Sequence, residues 1–332
     1  MLEHGGRLRR AASDYGIPLQ DWLDLSTGIN PTPWPVPEIP LSAWHRLPED
    51  DDGLEAAAAN YYGTDQLLAV AGSQAAIQSL PTLIPGARIT IPGPTYAEHP
   101  HAWRGTTLQR IDASVGSIDA AIDATDVLVL VNPNNPSGEH YDRAQLLEWY
   151  RRLASRGGWL VIDEAFIDTA PSNSLAAEAG HPGLVVLRSI GKFFGLAGAR
   201  TGFVLGPREL RAALAEHLGP WAVSGPARIV TQAALRDHAW QESARTRLLA
   251  QGQRLGALLH AAGFGNARGP ALFQWFEHPD ADTLRHRLAT HGILVRHFDS
   301  PASLRFGLPA LEADWQRLAD ALDTPGIKDL SR

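Results

Sequence analysis

The sequence predicts an α/β protein: a mostly parallel central sheet with helices on both faces, and a second, smaller α+β lobe. Three observations indicate this fold class. Short apolar runs alternate with helical patterns over about residues 46–220. Most of these runs are apolar at nearly every position, as parallel strands covered by helices on both faces require. After Pro226 the pattern changes to a long helical run and then two short strands, which indicates the second lobe.

The individual elements follow from the same patterns. The predicted strands of the larger lobe are 67–70, 88–91, 127–131, 159–162, 184–187 and 201–205. One helix is expected to open at Ser73 and another to span 142–155, where Gly157 and Gly158 end it. A long helix should end near Gly263, followed by strands 272–276 and 293–296. Prolines 31, 33, 35, 37 and 40 favour an extended connector near the N-terminus.

The length of the chain predicts more than one lobe. Its 332 residues exceed what one minimal core needs, and 44% of them are hydrophobic. We therefore expect an N-terminal arm with part of the small lobe over 1–45, a large α/β domain over 46–222, and a small α+β domain over 223–332.

Composition excludes several classes of protein. A formal net charge of −7 gives no general attraction to nucleic acid or to an anionic membrane, although local arginines can still bind small anions. The chain has no cysteine, so it has neither disulfides nor a thiolate metal site, and we expect no metal. No run reaches about 18 apolar residues, and the N-terminus lacks the apolar core of a signal peptide. A cytoplasmic protein is expected.

Lysine is rare in this chain. It occurs only at 192 and 328, and Lys192 lies in the glycine-flanked run Arg188-Ser189-Ile190-Gly191-Lys192-Phe193-Phe194-Gly195. Arginine replaces lysine almost everywhere else, but arginine cannot form a Schiff base and lysine can. An amine kept just after a buried strand is therefore a candidate for covalent chemistry with a carbonyl compound.

Polar residues follow several predicted strands, at the edge where an open parallel sheet binds ligands. Gly72 and Ser73 open a helix, whose free amides suit a phosphate. Asn135 lies in a turn with two Asn-Pro pairs. Asp163 ends an apolar strand. Burying its charge costs on the order of several kcal/mol unless a cation, such as a protonated pyridine, pairs with it. Neither a dinucleotide fingerprint nor a P-loop is present.

In this order, the motifs resemble the fold-type I pyridoxal phosphate enzymes of the aspartate aminotransferase superfamily. The resemblance implies that Lys192 binds the cofactor aldehyde as a Schiff base and that Asp163 pairs with the pyridine nitrogen. It also implies further contacts to pyridoxal 5'-phosphate. Asn135 would donate to the phenolic oxygen, Tyr96 would stack on the ring, and the phosphate would be held by Ser73, Gln74, Ser189 and Arg200.

A narrower resemblance concerns the substrate. The runs His4-Gly5-Gly6, 24–31 and 163–168 resemble the threonine-phosphate decarboxylase family of cobalamin biosynthesis. That resemblance implies decarboxylation of L-threonine O-3-phosphate to (R)-1-aminopropan-2-yl phosphate. Arginines and a histidine suit a substrate with both a phosphate and a carboxylate. The implied substrate contacts are His4, Gly5, Gly28, Asn135, Arg296 and Arg305.

Alternatives remain open at this point. A histidinol-phosphate-like aminotransferase acting on a phosphorylated or aromatic amino acid would use the same cofactor. A cofactor-bound scaffold without turnover is a third hypothesis, against which Lys192 and Asp163 argue. The chain also departs from its relatives, with Phe166 where aminotransferases of this group usually have tyrosine, and Leu47 where a tyrosine usually reaches the neighbouring subunit. A homodimer with a small-molecule substrate is still expected.

Overall fold

The computed structural model describes residues 2–331. The strands are β1 (Leu23–Leu25), β2 (Leu67–Val70), β3 (Arg88–Gly93), β4 (Thr107–Asp112), β5 (Val127–Val131), β6 (Trp159–Asp163), β7 (Leu184–Ser189), β8 (Gly202–Leu205), β9 (Phe273–Glu277), β10 (Ile293–Asp299) and β11 (Ala302–Gly307). The α-helices are α1 (Leu8–Tyr15), α2 (Ser42–His45), α3 (Leu54–Tyr62), α4 (Ser73–Leu83), α5 (Glu98–Ala102), α6 (Val115–Ala121), α7 (Arg143–Ala154), α8 (Arg208–Leu218), α9 (Gly225–Arg236), α10 (His238–Ala261), α11 (Ala281–Thr290), α12 (Glu312–Leu322) and α13 (Pro325–Lys328).

The larger sheet has the strand order β2-β8-β7-β6-β5-β3-β4. The pairs from β7 to β4 are parallel, whereas β8 is antiparallel to both of its neighbours. The prediction of a mostly parallel sheet is therefore confirmed, and all six predicted strands form. β4 was not predicted, because this edge strand keeps most of its side chains at least partly exposed and so lacks the apolar pattern of the others.

The core of this sheet is formed by strand residues that are buried on both faces. Every residue of β5 is buried, and Val127 and Val129 belong to the same core cluster as Ile77 and Leu80 of α4. Helix α7 confirms the helix predicted over 142–155. The Asp142 side chain caps its first turn by accepting from the Gln145 amide.

The smaller sheet has the strand order β1-β10-β11-β9. β1 pairs with β10 in parallel, and the other two pairs are antiparallel. β9 and β10 confirm the predicted strands 272–276 and 293–296, whereas the short β1 and β11 were not predicted. The long helical run after Pro226 forms α9 and α10, with a break at Asp237.

The chain divides into two compact units whose bounds differ from the predicted 1–45, 46–222 and 223–332. The smaller unit is Met1–Thr32, Pro136–Gly138 and Ala244–Arg332, and the larger unit is Pro33–Asn135 and Glu139–Ser243. Side chains explain why residues 33–45 and 223–243 join the larger unit. Trp34 Nε1 donates to Asp237 Oδ2 at 3.0 Å, and Trp240 stacks on Phe194 at a centroid distance of 5.6 Å.

None of the helices within residues 2–331 is both long enough and apolar enough to cross a bilayer. In the same residues, no group of three or more His, Cys, Asp and Glu side chains is arranged to hold a metal ion.

Candidate active site

Asp163 lies at the carboxyl end of β6, and its side chain is held by two contacts. The residue is 3% exposed. Its Oδ1 accepts from the Ala165 amide at 3.0 Å, and its Oδ2 lies 3.0 Å from Nε2 of the buried His99. With Asp163 ionised, Nε2 of His99 carries the proton in this contact. His99 was not predicted, because no local spacing links residues 64 positions apart.

Tyr96 and Gln74, both predicted cofactor ligands, are joined by a hydrogen bond. The Tyr96 hydroxyl donates to Gln74 Oε1 at 3.3 Å, and Gln74 Nε2 donates to Glu98 Oε2 at 2.8 Å. Tyr96 also contacts the edge of the His99 ring, with centroids 6.1 Å apart. Tyr96 thus contacts both Gln74, through its hydroxyl, and His99, through its ring.

The start of α4 lies against the turn that carries Arg200. A Cβ on Gly72, which has φ +75°, would lie 2.7 Å from Arg200 Nη2. A Cβ on Gly202 would lie 2.5 Å from the Ser73 amide nitrogen, and Gly202 pairs with Ser189 across β7 and β8. A guanidinium therefore lies beside a helix N-terminus, and both favour an anion. Three predicted phosphate ligands meet here, in a space that only glycine leaves open.

The ends of β5, β6 and β7 bring together the remaining predicted cofactor ligands. Val131 of β5 pairs with Asp163, and Asp163 pairs with Leu187 of β7. Asn135 follows β5 and is half-buried. Lys192 follows β7, and its Nζ lies 5.7 Å from the centroid of the buried Phe166 ring. Three adjacent strands thus supply an amide, a carboxylate and an amine at one edge of the sheet.

A buried ionic network, which we call the Arg188 network, lies next to these residues in sequence. It comprises Arg188, Glu164 and Asp168, each at most 3% exposed. Arg188 also lies over the Tyr62 ring, 4.6 Å from its centroid. Burial opposes the charge on Arg188, but Asp168 and Glu164 raise the pKa of its guanidinium above the usual value.

The Arg188 network joins the strand ends that carry the cofactor ligands. Glu164 follows Asp163 directly, and Arg188 precedes Ser189. Burial raises the pKa of Glu164, whose Oε1 accepts from the Leu175 amide at 2.8 Å. The Arg188 network was not predicted from the sequence. Successive residues of a strand face opposite sides of the sheet, so the charged residues next to Asp163 and Ser189 could have indicated a second polar cluster.

In the smaller unit, Arg296 and Arg305 are cross-strand partners on β10 and β11. Directly opposite residues have Cβ atoms about 5 Å apart and share one face of the sheet. Arg305 is 7% exposed, and its Nη2 donates to the Ser26 carbonyl at 2.9 Å. Arg296 Nη2 donates to the Glu3 carbonyl at 2.7 Å. Two arginines thus occupy opposite positions on neighbouring strands, and each donates to a backbone carbonyl.

The N-terminal residues pack against the same place. A Cβ on Gly5 would lie 2.3 Å from the Ser26 carbonyl oxygen, and the Gly6 amide donates to Ser26 Oγ at 2.7 Å. Gly28, two residues beyond Ser26, is buried. A cavity of about 520 Å³ opens here, and its lining includes His4, Gly5 and Arg296. Three of the predicted substrate residues of this unit therefore line one cavity, and Arg305 is the strand partner of one of them, Arg296.

Comparison with known proteins identifies the family of the chain. The model of the family "Aminotransferase class I and II" matches residues 43–322. The chain belongs to this family. The fold-type I architecture and the dependence on pyridoxal 5'-phosphate, both expected from the motifs, are confirmed. The enzyme is similar in sequence to several curated relatives and in fold to many solved structures.

Two curated relatives carry the same name. The chain is 57% identical to a threonine-phosphate decarboxylase from Pseudomonas aeruginosa, over 97% of each chain. It is 43% identical to another from Sinorhizobium, again over 97% of each. A histidinol-phosphate aminotransferase from Chlorobium phaeovibrioides is 33% identical over 73% of this chain and 71% of its own.

Solved structures show the same fold at low sequence identity. The histidinol-phosphate aminotransferase from Sinorhizobium meliloti in complex with pyridoxal-5'-phosphate has a TM-score of 0.83 at 20% identity, covering 99% of this chain and 95% of its own. The L-threonine-O-3-phosphate decarboxylase from Porphyromonas gingivalis has a TM-score of 0.76 at 20% identity, covering 90% and 98%.

The residues of the larger unit fit the cofactor. The glycine-lined space between Ser73 and Arg200 suits a phosphate, and the buried carboxylate of Asp163 suits a protonated ring nitrogen. Lys192 offers an amine for the aldehyde. The phosphate, the ring nitrogen and the aldehyde of pyridoxal 5'-phosphate thus each have a complementary residue in this unit.

Proposed function

We propose that the enzyme decarboxylates L-threonine O-3-phosphate to (R)-1-aminopropan-2-yl phosphate and CO₂, as a step of cobalamin (vitamin B12) biosynthesis. The observation that carries this proposal is the 57% identity to a threonine-phosphate decarboxylase over 97% of both chains. The cross-strand pair of Arg296 and Arg305 supports it independently, since this substrate carries two anionic groups. In this proposal the substrate is a small phosphorylated amino acid.

The proposed roles in the larger unit follow from the chemistry of each group. Pyridoxal 5'-phosphate, when bound, supplies an electron sink for the pair released as CO₂ leaves. Asp163 would keep a proton on the ring nitrogen, and the contact from His99 would fix the direction of its carboxylate. Lys192 would hold the cofactor covalently and then deliver a proton to the α-carbon of the substrate.

Further cofactor contacts complete this proposal. Arg200, Ser189 and the first amides of α4 would hold the cofactor phosphate. Because the Gln74 amide group already bonds Tyr96 and Glu98, Gln74 would contribute through its backbone N–H. Tyr96 would stack on the ring, and Asn135 would donate to the phenolic oxygen. Asn135 is also proposed to contact the substrate.

The proposed roles in the smaller unit concern orientation. Arg296 and Arg305, with His4 and the backbone at Gly5 and Gly28, would bind the carboxylate and the phosphate of the substrate. By fixing both anionic groups, these residues would orient the α-carbon of the substrate and would so select the bond to the carboxylate carbon as the one that breaks.

We also infer a cytoplasmic homodimer. The larger unit exposes several large apolar side chains around the start of α9: Leu41 (73%), Trp44 (64%), Leu47 (62%) and Trp221 (57%). The segment of α2 packs closely here, because a Cβ on Gly225 would lie 2.6 Å from the Ala43 carbonyl oxygen. A second copy of the chain would cover these side chains, whose burial is favourable. Light scattering of wild type and of Trp44→Glu tests this inference.

The decisive experiment is product analysis of the purified holoenzyme with threonine phosphate. The proposal expects CO₂ release that needs no 2-oxo acid. Lys192→Arg should abolish it because a guanidinium keeps the charge but cannot bind the aldehyde, whereas Lys328→Arg should leave it unchanged. Lys328 is a matched control, since it lies in an exposed ion pair with Asp323.

Two results would contradict the proposal. Amino-group transfer to a 2-oxo acid, without CO₂, would identify an aminotransferase of the histidinol-phosphate type. Absence of product from every phosphorylated amino acid tested, with cofactor bound, would indicate a scaffold without turnover.

A further inference from the structure

Four arginines line the cavity of about 520 Å³ in the smaller unit, namely Arg7, Arg10, Arg285 and Arg296. Besides His4, Gly5 and Arg296, its lining includes Arg7 and Glu3. Arg7 was not among the predicted substrate residues. It lines the same cavity as Arg296, a proposed substrate residue.

The backbone at Arg7 is held firmly in place. The preceding Gly5 and Gly6 lie against Ser26, and Gly6 has φ +79°, a conformation that glycine adopts readily. Arg7 itself precedes the first residue of α1, and its carbonyl accepts from the Ala11 amide at 3.0 Å. Arg305 donates to the Ser26 carbonyl. The segment that bears Arg7 therefore packs against Ser26, the same residue that Arg305 contacts.

The cavity that Arg7 lines carries charges of both signs, with the carboxylates of Glu3, Asp14, Asp282 and Asp299 beside its arginines. Burial lowers the pKa of Arg296, and the nearby charge of Arg7 lowers it further, while Glu3 opposes both effects. The Glu3 carboxylate lies 3.7 Å from Arg296 Nη1 but also 3.5 Å from Arg10 Nη1, and its side chain is 64% exposed. Arg10 also pairs with Asp14, and Arg285 pairs with Asp282. The Arg7 guanidinium, in contrast, donates to the Leu2 carbonyl at 3.4 Å, an uncharged acceptor that leaves its charge available to an anionic ligand.

We propose that Arg7 is a third guanidinium of the substrate site, which contacts the phosphate of the substrate and sets the preference for phosphorylated over unphosphorylated amino acids. This inference rests on the proposed function. A phosphate offers three acceptor oxygens, which one arginine can bind only in part, so a further guanidinium adds charge-assisted hydrogen bonds to the phosphorylated substrate alone. Arg7 would thus be a specificity-determining residue.

Calorimetric titration of the holoenzyme with inorganic phosphate tests this inference directly. Arg7→Gln should weaken phosphate binding by about tenfold or more, as the loss of a hydrogen bond between charged groups implies. Arg7→Lys should restore part of the affinity because it keeps the charge. Arg9→Gln is the matched control: Arg9 lies two residues further along α1, is exposed and does not line the cavity, so its removal should change nothing.

Steady-state kinetics supply the second measurement. Arg7→Gln should lower kcat/KM for threonine phosphate by about 10- to 100-fold, mainly through KM, and leave any activity on threonine unchanged. The inference is overturned if wild type binds no phosphate, if Arg7→Gln binds it as tightly as wild type, or if Arg9→Gln weakens it equally. Failure to decarboxylate threonine phosphate would refute the proposed function, yet the phosphate titration would still decide the role of Arg7.

Discussion

The Arg188 network offers the sharpest test of how buried charge supports this site. Arg188→Met removes the guanidinium and keeps a side chain of similar length, leaving Glu164 and Asp168 without their cation. These carboxylates belong to residues that are 0% and 3% exposed. Breaking a buried ion pair by removing one partner costs about 3–5 kcal/mol, because the remaining charge stays buried and uncompensated.

A matched control exists on the surface of the same unit. Arg88 pairs with Asp126 at 2.7 Å, with side-chain exposures of 54% and 28%. Exposed pairs contribute about 0–1 kcal/mol, so Arg88→Met should cost much less than Arg188→Met. The contrast between the two variants isolates burial, since each removes an arginine from a pair with a carboxylate.

Urea unfolding, followed by far-ultraviolet circular dichroism, measures the difference. Cofactor concentration must be held fixed, because ligand binding shifts apparent stability. Adding Glu164→Gln and Asp168→Asn to Arg188→Met should recover part of the loss, since no charge then remains buried. If Arg188→Met costs no more than Arg88→Met, or if neutralising both carboxylates gives no recovery, the electrostatic argument is wrong.

Three further predictions concern single residues. His99→Phe should lower kcat/KM for threonine phosphate by about 10- to 100-fold and weaken cofactor binding, because Asp163 loses its ring N–H donor; unchanged values for both would contradict this. Gly202→Ala should destabilise the holoenzyme by about 1–3 kcal/mol in urea, whereas Gly105→Ala, with nothing within 4 Å of its Cβ, should not. Hydrogen bonding to Arg88 lowers the pKa of Asp126 to about 2. The contribution of ionised Asp126 to the free energy of unfolding is therefore complete above the pKa of the unfolded chain, near 4, and is lost as pH falls toward 2. Asp126→Asn should therefore cost about 1 kcal/mol at pH 7, and this difference should shrink in urea titrations at lower pH.

The fold was predictable where local pattern carries the information. Fully buried parallel strands such as β5 are apolar throughout, and helix α7 has a capping aspartate and terminal glycines, so both could be found from sequence. The edge strand β4 lacks that pattern because its side chains face solvent. Unit boundaries also escaped prediction, since they depend on contacts such as the stack of Trp240 on Phe194.

The residues proposed to carry the chemistry could be found from sequence alone: one lysine after a buried strand, an aspartate at the end of an apolar strand, a glycine turn that opens a helix, and two arginines near the C-terminus. These features are readable because each depends on residue type and on neighbours a few positions away. The side chains that contact or adjoin these residues became evident from the fold. His99 meets Asp163, and Arg188 meets Glu164, because the strand order and the placement of α5 bring distant segments together, and no local spacing encodes that arrangement.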